Sequence, residues 1–259
     1  MSEHSAASLP SLAGRPLAQR IALAGLILAL ICAAVAIGSG LGYRLGLWHF
    51  RTGFAILRYA FYGAFAAGAV SLVALIMSGG RRPGIIFMGL LGLIVAAITA
   101  YMPWTYNRTV QSVPRIHDIT TDIANPPKFV AAAKLRKPDD HPVDYEGAEI
   151  GSEQREAYPD IAPLTTKAPK DKTFEAARQA LSSMGLEIVD ASPAEGRIEA
   201  VDTTLLYGFK DDVVVRVQEG PEGTRVDVRS MSRVGKSDLG MNAKRIRTFL
   251  ARLRAGLPA

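Results

Sequence analysis

Cysteine is almost missing from this chain; the one thiol is Cys32. A single cysteine excludes an intramolecular disulfide and a cysteine-built metal centre. Its place inside an apolar run also excludes it as the nucleophile of a soluble site. Acid is missing from the front of the chain. Residues 1–102 hold Glu3 alone against seven arginines, at 15, 20, 44, 51, 58, 81 and 82. The chain has 30 Lys+Arg and 24 Asp+Glu, so residues 103–259 carry 23 of each, and the net charge of +6 belongs to the front. Arginines that flank apolar segments set membrane orientation. Nucleic-acid binding needs a surplus of cations on the docking surface, and the neutral remainder does not supply one, so no nucleic-acid partner is expected.

Charge is missing altogether from three long apolar runs. "IALAGLILALICAAVAIGSGLG", residues 21–42, has 22 residues, or roughly 33 Å of helix, enough to cross a bilayer. "YAFYGAFAAGAVSLVALIM" (59–77) and "IIFMGLLGLIVAAITAYM" (85–102) are a second and a third. The first is too long for a cleaved signal peptide, and more spans follow it. Ion and proton pathways use ionisable groups at membrane depth; these spans have none, which argues against a transporter or channel. Small residues four apart, Gly63/Ala67 and Ala64/Gly68, predict close packing within the three-helix unit rather than homodimerisation. Arg81 and Arg82 in a short loop, with Arg15 and Arg20 in the 1–20 tail, favour the cytoplasmic side. Arg44, Arg51 and Arg58 weigh the other way. Trp48 and Trp104 would share one membrane interface. The expected topology has a cytoplasmic N-terminus, a transmembrane region over 21–102 and the long C-terminal part outside.

Residues 107–171 hold eight of the fifteen prolines. The segment 103–170 therefore reads as an irregular connection, long for a loop inside one domain, with a short helix in "PPKFVAAAKLRK". His117 stands near Asp118 and Asp122; His141 stands near Asp139, Asp140 and Asp144. Imidazole with carboxylates can hold a divalent metal, but neither stretch has metalloenzyme spacing. Both read as solvated turns, and no metal or cofactor is expected.

Regular patterning begins at residue 171. "DKTFEAARQALSSMGLEI" is a helix with Phe174, Ala177, Ala180 and Leu181 on one face, Asp171 as N-cap and Gly185 as C-cap. "LEIVDA", "GRIEAVDTTLLYG", "DDVVVRVQE" and "TRVDVRSMS" read as four strands, with a turn at "GPEG". A closing helix carries Ile246, Phe249, Leu250 and Leu253 on one stripe. Short connections between successive strands imply an antiparallel sheet. Residues 171–255 are thus expected to form an α+β domain: an antiparallel sheet and two covering helices.

"GRIEAVDTTLLYGFKDDVVVRVQEGPEGTRVDVRSMSRVGKSDLGMNAKRIRTFL", with "PRIHDITTDIANPPKF" and "AYPDIAPLTT" upstream, resembles the domain-of-unknown-function 1499 family over roughly residues 104–255. The resemblance implies a bacterial-envelope or plastid-type membrane protein, with N-terminal spans in many members. It brings no established reaction, so no catalytic role transfers.

The basic stretch "RSMSRVGKSDLGMNAKRIR" (229–247) has four readings. "VGKS" imitates the end of a phosphate loop, but the glycine that the pattern needs five residues before Gly235 is Ser230, and the strand belongs to hairpins; that reading fails. An anion site at the start of the closing helix would use Arg229, Arg233, Lys236, Ser237, Asp238 and Arg245 for a phosphate, a carboxylate or an anionic lipid headgroup. Internal pairing is the stronger alternative. Residues 225–254 hold nine cations and two acids, whereas 139–222 hold 19 acids and eight cations, so the basic end has an acidic partner within the chain, and Ser237 or Asp238 caps the helix. Catalysis is weakest. No G-x-S-x-G elbow occurs, and the polar pair Asp211 and Asp212 suggests an acid/base couple only by adjacency. These observations favour an envelope accessory or binding module anchored in the bacterial inner membrane, with a periplasmic α+β domain. Its expected partners are the bilayer and envelope proteins or anionic headgroups. The alternative is an enzyme acting on envelope lipid or glycan.

Overall fold

The structure, a computed structural model, describes residues 16–257; the expected tail lies outside the described residues as far as Arg15. The chain divides into two compact units, residues 1–107 and 108–259.

Three helices make the first unit: α1 (Leu17–Arg44), α2 (Phe50–Ser78) and α3 (Pro83–Ser112). All three are long and apolar enough to cross a membrane. Their buried positions recur at alternating four- and three-residue steps: Ala18, Ala22, Gly25, Ala29 and Cys32 on α1; Ala60, Ala64, Ala67, Ser71, Ala74 and Ser78 on α2; Ile85, Gly89, Gly92, Ala96 and Thr99 on α3. Almost every one is small, so the backbones approach closely, the packing mode of helices in lipid. Gly92 shows how closely: a β-carbon there would collide with Ser71. Ala29, Ala67 and Ala96 meet in one cluster. Large apolar side chains such as Ile27, Leu30, Ile31, Phe65 and Ile98 lie on the outside, 47–68% exposed. The small-residue pairs on α2 therefore pack within the three-helix unit, as expected from their spacing.

An antiparallel sheet dominates the second unit, in the order β1-β6-β5-β4-β3, with β2 also on β6. The strands are β1 (Asp118–Thr120), β2 (Leu164–Thr166), β3 (Glu187–Ser192), β4 (Arg197–Thr203), β5 (Lys210–Gly220) and β6 (Gly223–Ser232). The helices are α4 (Ala131–Lys134), α5 (Ala148–Ala157), α6 (Lys170–Ser183) and α7 (Met241–Gly256). The expected helix at 171 begins one residue early; Asp171 lies in its first turn rather than at its cap, and Gly185 just beyond its end is left-handed (φ 80°).

α6 and α7 cover one face of the sheet. Phe174, Ala177, Leu181, Ile246, Phe249, Leu250 and Leu253 pack there on Ile198, Ala200, Val213, Val215, Val217, Val226 and Val228. The helical stripes and the period-two strand pattern thus meet in one dry core.

Residues 108–170 correct the expected boundary. They belong to the same compact unit as the rest of the domain. β1 and β2 lie end to end on the outer edge of β6, at Arg229–Met231 and Thr224–Val226. Thr121 covers the step between them: its amide donates to Val228 O, and its hydroxyl accepts from the Val228 amide. Strands three residues long carry too little pattern to stand out in a sequence. Their conformation is imposed by the edge that they complete.

Candidate functional site

Successive strand residues point to opposite faces, and this alternation sorts the charged side chains. On the face away from α6 and α7, four acids are almost fully buried: Asp118, Glu199, Asp212 and Asp227, each with 0–1% side-chain exposure. A buried lone carboxylate is very costly, and each of these has arginine. Arg229 grips Asp118 with two prongs, Nε to Oδ1 at 2.9 Å and Nη2 to Oδ2 at 2.6 Å. It donates further to Pro127 O and Val143 O and stacks on Phe129, 4.9 Å from the ring centre. Arg233 and Arg136 share Asp212, at 2.7 and 2.9 Å. Arg216 and Arg225 share Asp227 and Asp122. Arg197 pairs with Glu199, whose two oxygens also accept the amides of Val130, Ala131 and Ala132 and so cap α4. The segment 122–146 lies over this ionic layer; of the two stretches expected to be solvated turns, 115–122 is instead buried at 116–121, whereas 137–144 is exposed or half-buried.

The opposite face has its own set at the start of α7. Arg245 donates to Asp202 at 2.7 Å and Asp211 at 2.6 Å, and to Ser230 and Asn242. Burial alone would lower its pKa; the carboxylates of Asp211 and Asp202 outweigh that, and the net shift is upward. The N-cap of α7 is Gly240 rather than the expected Ser237 or Asp238; Asp238, just upstream, accepts the amides of Gly240 and Asn242 at 2.9 and 2.6 Å and so satisfies the first turn. Burial raises its pKa, against those two amides. Ser237 donates to Pro114 O, and Lys236 is exposed.

The six residues named for an anion site therefore do not converge. Arg229 and Arg233 lie on one face, Arg245 on the other, and all three hold carboxylates of the chain. Asp211 and Asp212 part company for the same reason: one faces Arg245 and α7, the other Arg233 and Arg136. Adjacency in a strand separates side chains, so the pair is not a catalytic couple.

Sequence reasoning missed Glu199 and Gln154, and it did not bring His117 and His141 together. Glu199 had no visible role. Gln154 uses its carboxamide as a strand partner, accepting from the Thr120 amide at 2.9 Å and donating to Thr120 O at 2.7 Å; it blocks the free edge of β1. His117 and His141, 24 residues apart, stack with ring centres 4.0 Å apart. His141 Nε2 lies 2.9 Å from Gly235 O, so that nitrogen carries the proton. His117 Nε2 is buried without a hydrogen bond, 3.8 Å from Glu146 Oε1. Its pKa is lowered, first by burial and then by His141, against the opposing pull of Glu146 and Asp118. The signal that was available is the alternation of "RVDVRSMSR": charge at 225, 227, 229 and 233 on one face of a strand with neighbours on both sides points to a covered ionic face.

An antiparallel α+β domain whose second face is a buried lattice of arginines and carboxylates, carried on helices fit to span a membrane, is the class of protein that these features define. The family model described as protein of unknown function (DUF1499) matches residues 118–253, from the first residue of β1 to within α7, and the chain belongs to that family. None of the curated proteins matches it.

Proposed function

We propose that this protein is an accessory or binding module of the bacterial envelope, anchored in the inner membrane with its N-terminus in the cytoplasm and the DUF1499 domain on the periplasmic side. One observation carries the reading. The acids and arginines that would furnish an acid/base or anion site, Asp211, Asp212, Arg229, Arg233 and Arg245, are held by one another or by other groups of the chain. What remains for function is the domain's exterior and its attachment to the bilayer. Small residues facing in and large apolar ones facing out suit the three helices to lipid, since monomeric soluble proteins rarely expose apolar surface so broadly. Arg81 and Arg82 in the loop between the second and third helices support a cytoplasmic N-terminus. A reporter active only outside the cytoplasm, fused after Ala259, should be active, and the intact chain should stay in carbonate-washed membranes. An inactive fusion with an intact chain would reverse the topology.

A second reading, an enzyme acting on envelope lipid or glycan, has one observation in its favour: the unpartnered Nε2 of His117 beside Glu146. A His117→Gln protein that folds normally but loses its cellular role, while partner capture survives, would favour the enzyme over the binding module.

A further inference from the structure

Residues 137–146 close over one end of the ionic face, and His141 fastens them there. Its amide donates to Arg233 O at 2.7 Å and its Nε2 to Gly235 O at 2.9 Å. Its carbonyl accepts from Arg136 Nη1 at 2.6 Å. Two residues on, Val143 O accepts from Arg229 Nη2 at 2.9 Å. The rest of the segment is lightly held. Pro138 and Pro142 bring no amide to donate, and the turn between Lys137 and Asp140 closes on itself. Val143 and the Tyr145 ring pack inward, but every residue of the segment is exposed or half-buried. Segments with so few buried contacts open at low free energy. The stretch just before it differs, because Glu199 clamps the amides of 130–132.

The ring of His117 lies under the fastening. It is buried and stacks on His141 at 4.0 Å, with 25° between the planes. Among the described residues the His117 ring makes no hydrogen bond. Charged groups surround the pair. Asp118 follows His117 on β1, but Arg229 grips its carboxylate. Glu146 approaches Nε2 to 3.8 Å from an exposed position in the segment itself. Arg136, after α4, and Arg233, after β6, share the one carboxylate of Asp212. Asp139, Asp140 and Asp144 flank His141, exposed or half-buried. Protons on both rings would thus set like charges at stacking distance, beside two arginines and with no water between the planes.

We infer that the histidine pair is an acid-operated latch: protonation of the stacked rings breaks the contact between His117 and His141 and releases residues 137–146 from the β6–α7 connection. Release takes His141 O from Arg136 and Val143 O from Arg229, so two guanidinium groups each turn an N–H to solvent. The end of the lattice under the segment is then closed at neutral pH and reachable in acid. Burial sets the direction. It lowers the pKa of the folded His117 ring, with His141 and Arg136 acting the same way and Glu146 and Asp118 against. The released ring takes its proton at the ordinary value, so acid favours release.

The test follows hydrogen exchange at 137–146 by mass spectrometry, in the full chain in detergent, from about pH 7.5 to about pH 5, with intrinsic rates divided out. The opening equilibrium should rise roughly tenfold per pH unit below the ordinary value of 6.5, the slope of one proton. Residues 130–134, held through Glu199, are the internal control and should stay protected. His117→Phe keeps a ring on the stack, gives up no hydrogen bond of that ring and takes no proton. It should keep the segment closed at neutral pH and abolish the acid step. Exchange at 137–146 that ignores pH, or an acid step that His117→Phe retains, would overturn the inference. Should His117→Phe fail to fold, deuterium exchange at the imidazole C2 position of His117 in the unaltered chain reads the latch. Its titration should fall below the ordinary value and coincide with the loosening of 137–146. A His117 that titrates at the ordinary value while the segment stays protected would refute the latch.

Discussion

Removing Asp118 should strand Arg229 inside the protein. The two side chains are 1% and 2% exposed and joined by a bidentate pair. Breaking a buried pair from one side costs about 3–5 kcal/mol, because an uncompensated charge stays behind. Asp118→Ala should therefore lower the stability of the sheet by about 4 kcal/mol, a large share of the roughly 5–15 kcal/mol that holds a domain. Arg229→Met should cost at least as much. It leaves the Asp118 carboxylate unpaired and also orphans Pro127 O and Val143 O, at about 1–3 kcal/mol for each buried group. The double variant removes both charges and leaves only the two carbonyls and the lost stacking on Phe129. It should be milder than Arg229→Met alone, so the two substitutions should be strongly non-additive. Hydrogen exchange of the β6 amides, followed by mass spectrometry in the full chain in detergent, reads the opening free energy directly. A loss below about 1 kcal/mol for Asp118→Ala, or a double variant as damaged as the sum of the singles, would refute the view that these arginines are held for internal pairing.

Three further outcomes follow from the same geometry. Glu199→Gln keeps the shape but removes the charge that caps α4 and meets Arg197; exchange at residues 130–134 should accelerate, for a loss of about 1–3 kcal/mol. Gln154→Ala orphans both the amide and the carbonyl of buried Thr120, so β1 should exchange first, at a cost of about 2–4 kcal/mol. The lowered pKa of His117 means that the unfolded chain takes the proton first as the pH falls. Stability should drop from its ordinary value of 6.5 downward until the folded-state value is reached, and urea titrations across that window should show His117→Asn losing this dependence. At the alkaline end, Tyr145, pushed up to about 12 by burial and by Asp118, should cost stability as the pH rises from 10, where the unfolded chain ionises first; Tyr145→Phe should flatten that slope.

The sequence by itself determined the three apolar helices, their small-residue packing faces, the four long strands and the two amphipathic helices. Each of these is a periodic apolar pattern, and periodicity is local: 3.5 to 3.6 residues per turn or two per strand step is written in neighbouring letters. It also determined that the basic stretch at 225–254 has an acidic counterpart within the chain, which is a matter of counting. Which acid meets which arginine only the tertiary structure decided. Asp118 and Arg229 are 111 residues apart, and no local pattern joins them. The same holds for the boundary at 108 rather than 171. β1, β2 and the lid 122–146 have almost no periodicity of their own; they take their shape from an edge and a charged face that exist only once β4, β5 and β6 have paired. Adjacent letters mislead in the same way at Asp211 and Asp212, because a strand sends neighbours to opposite faces and the sheet then buries both.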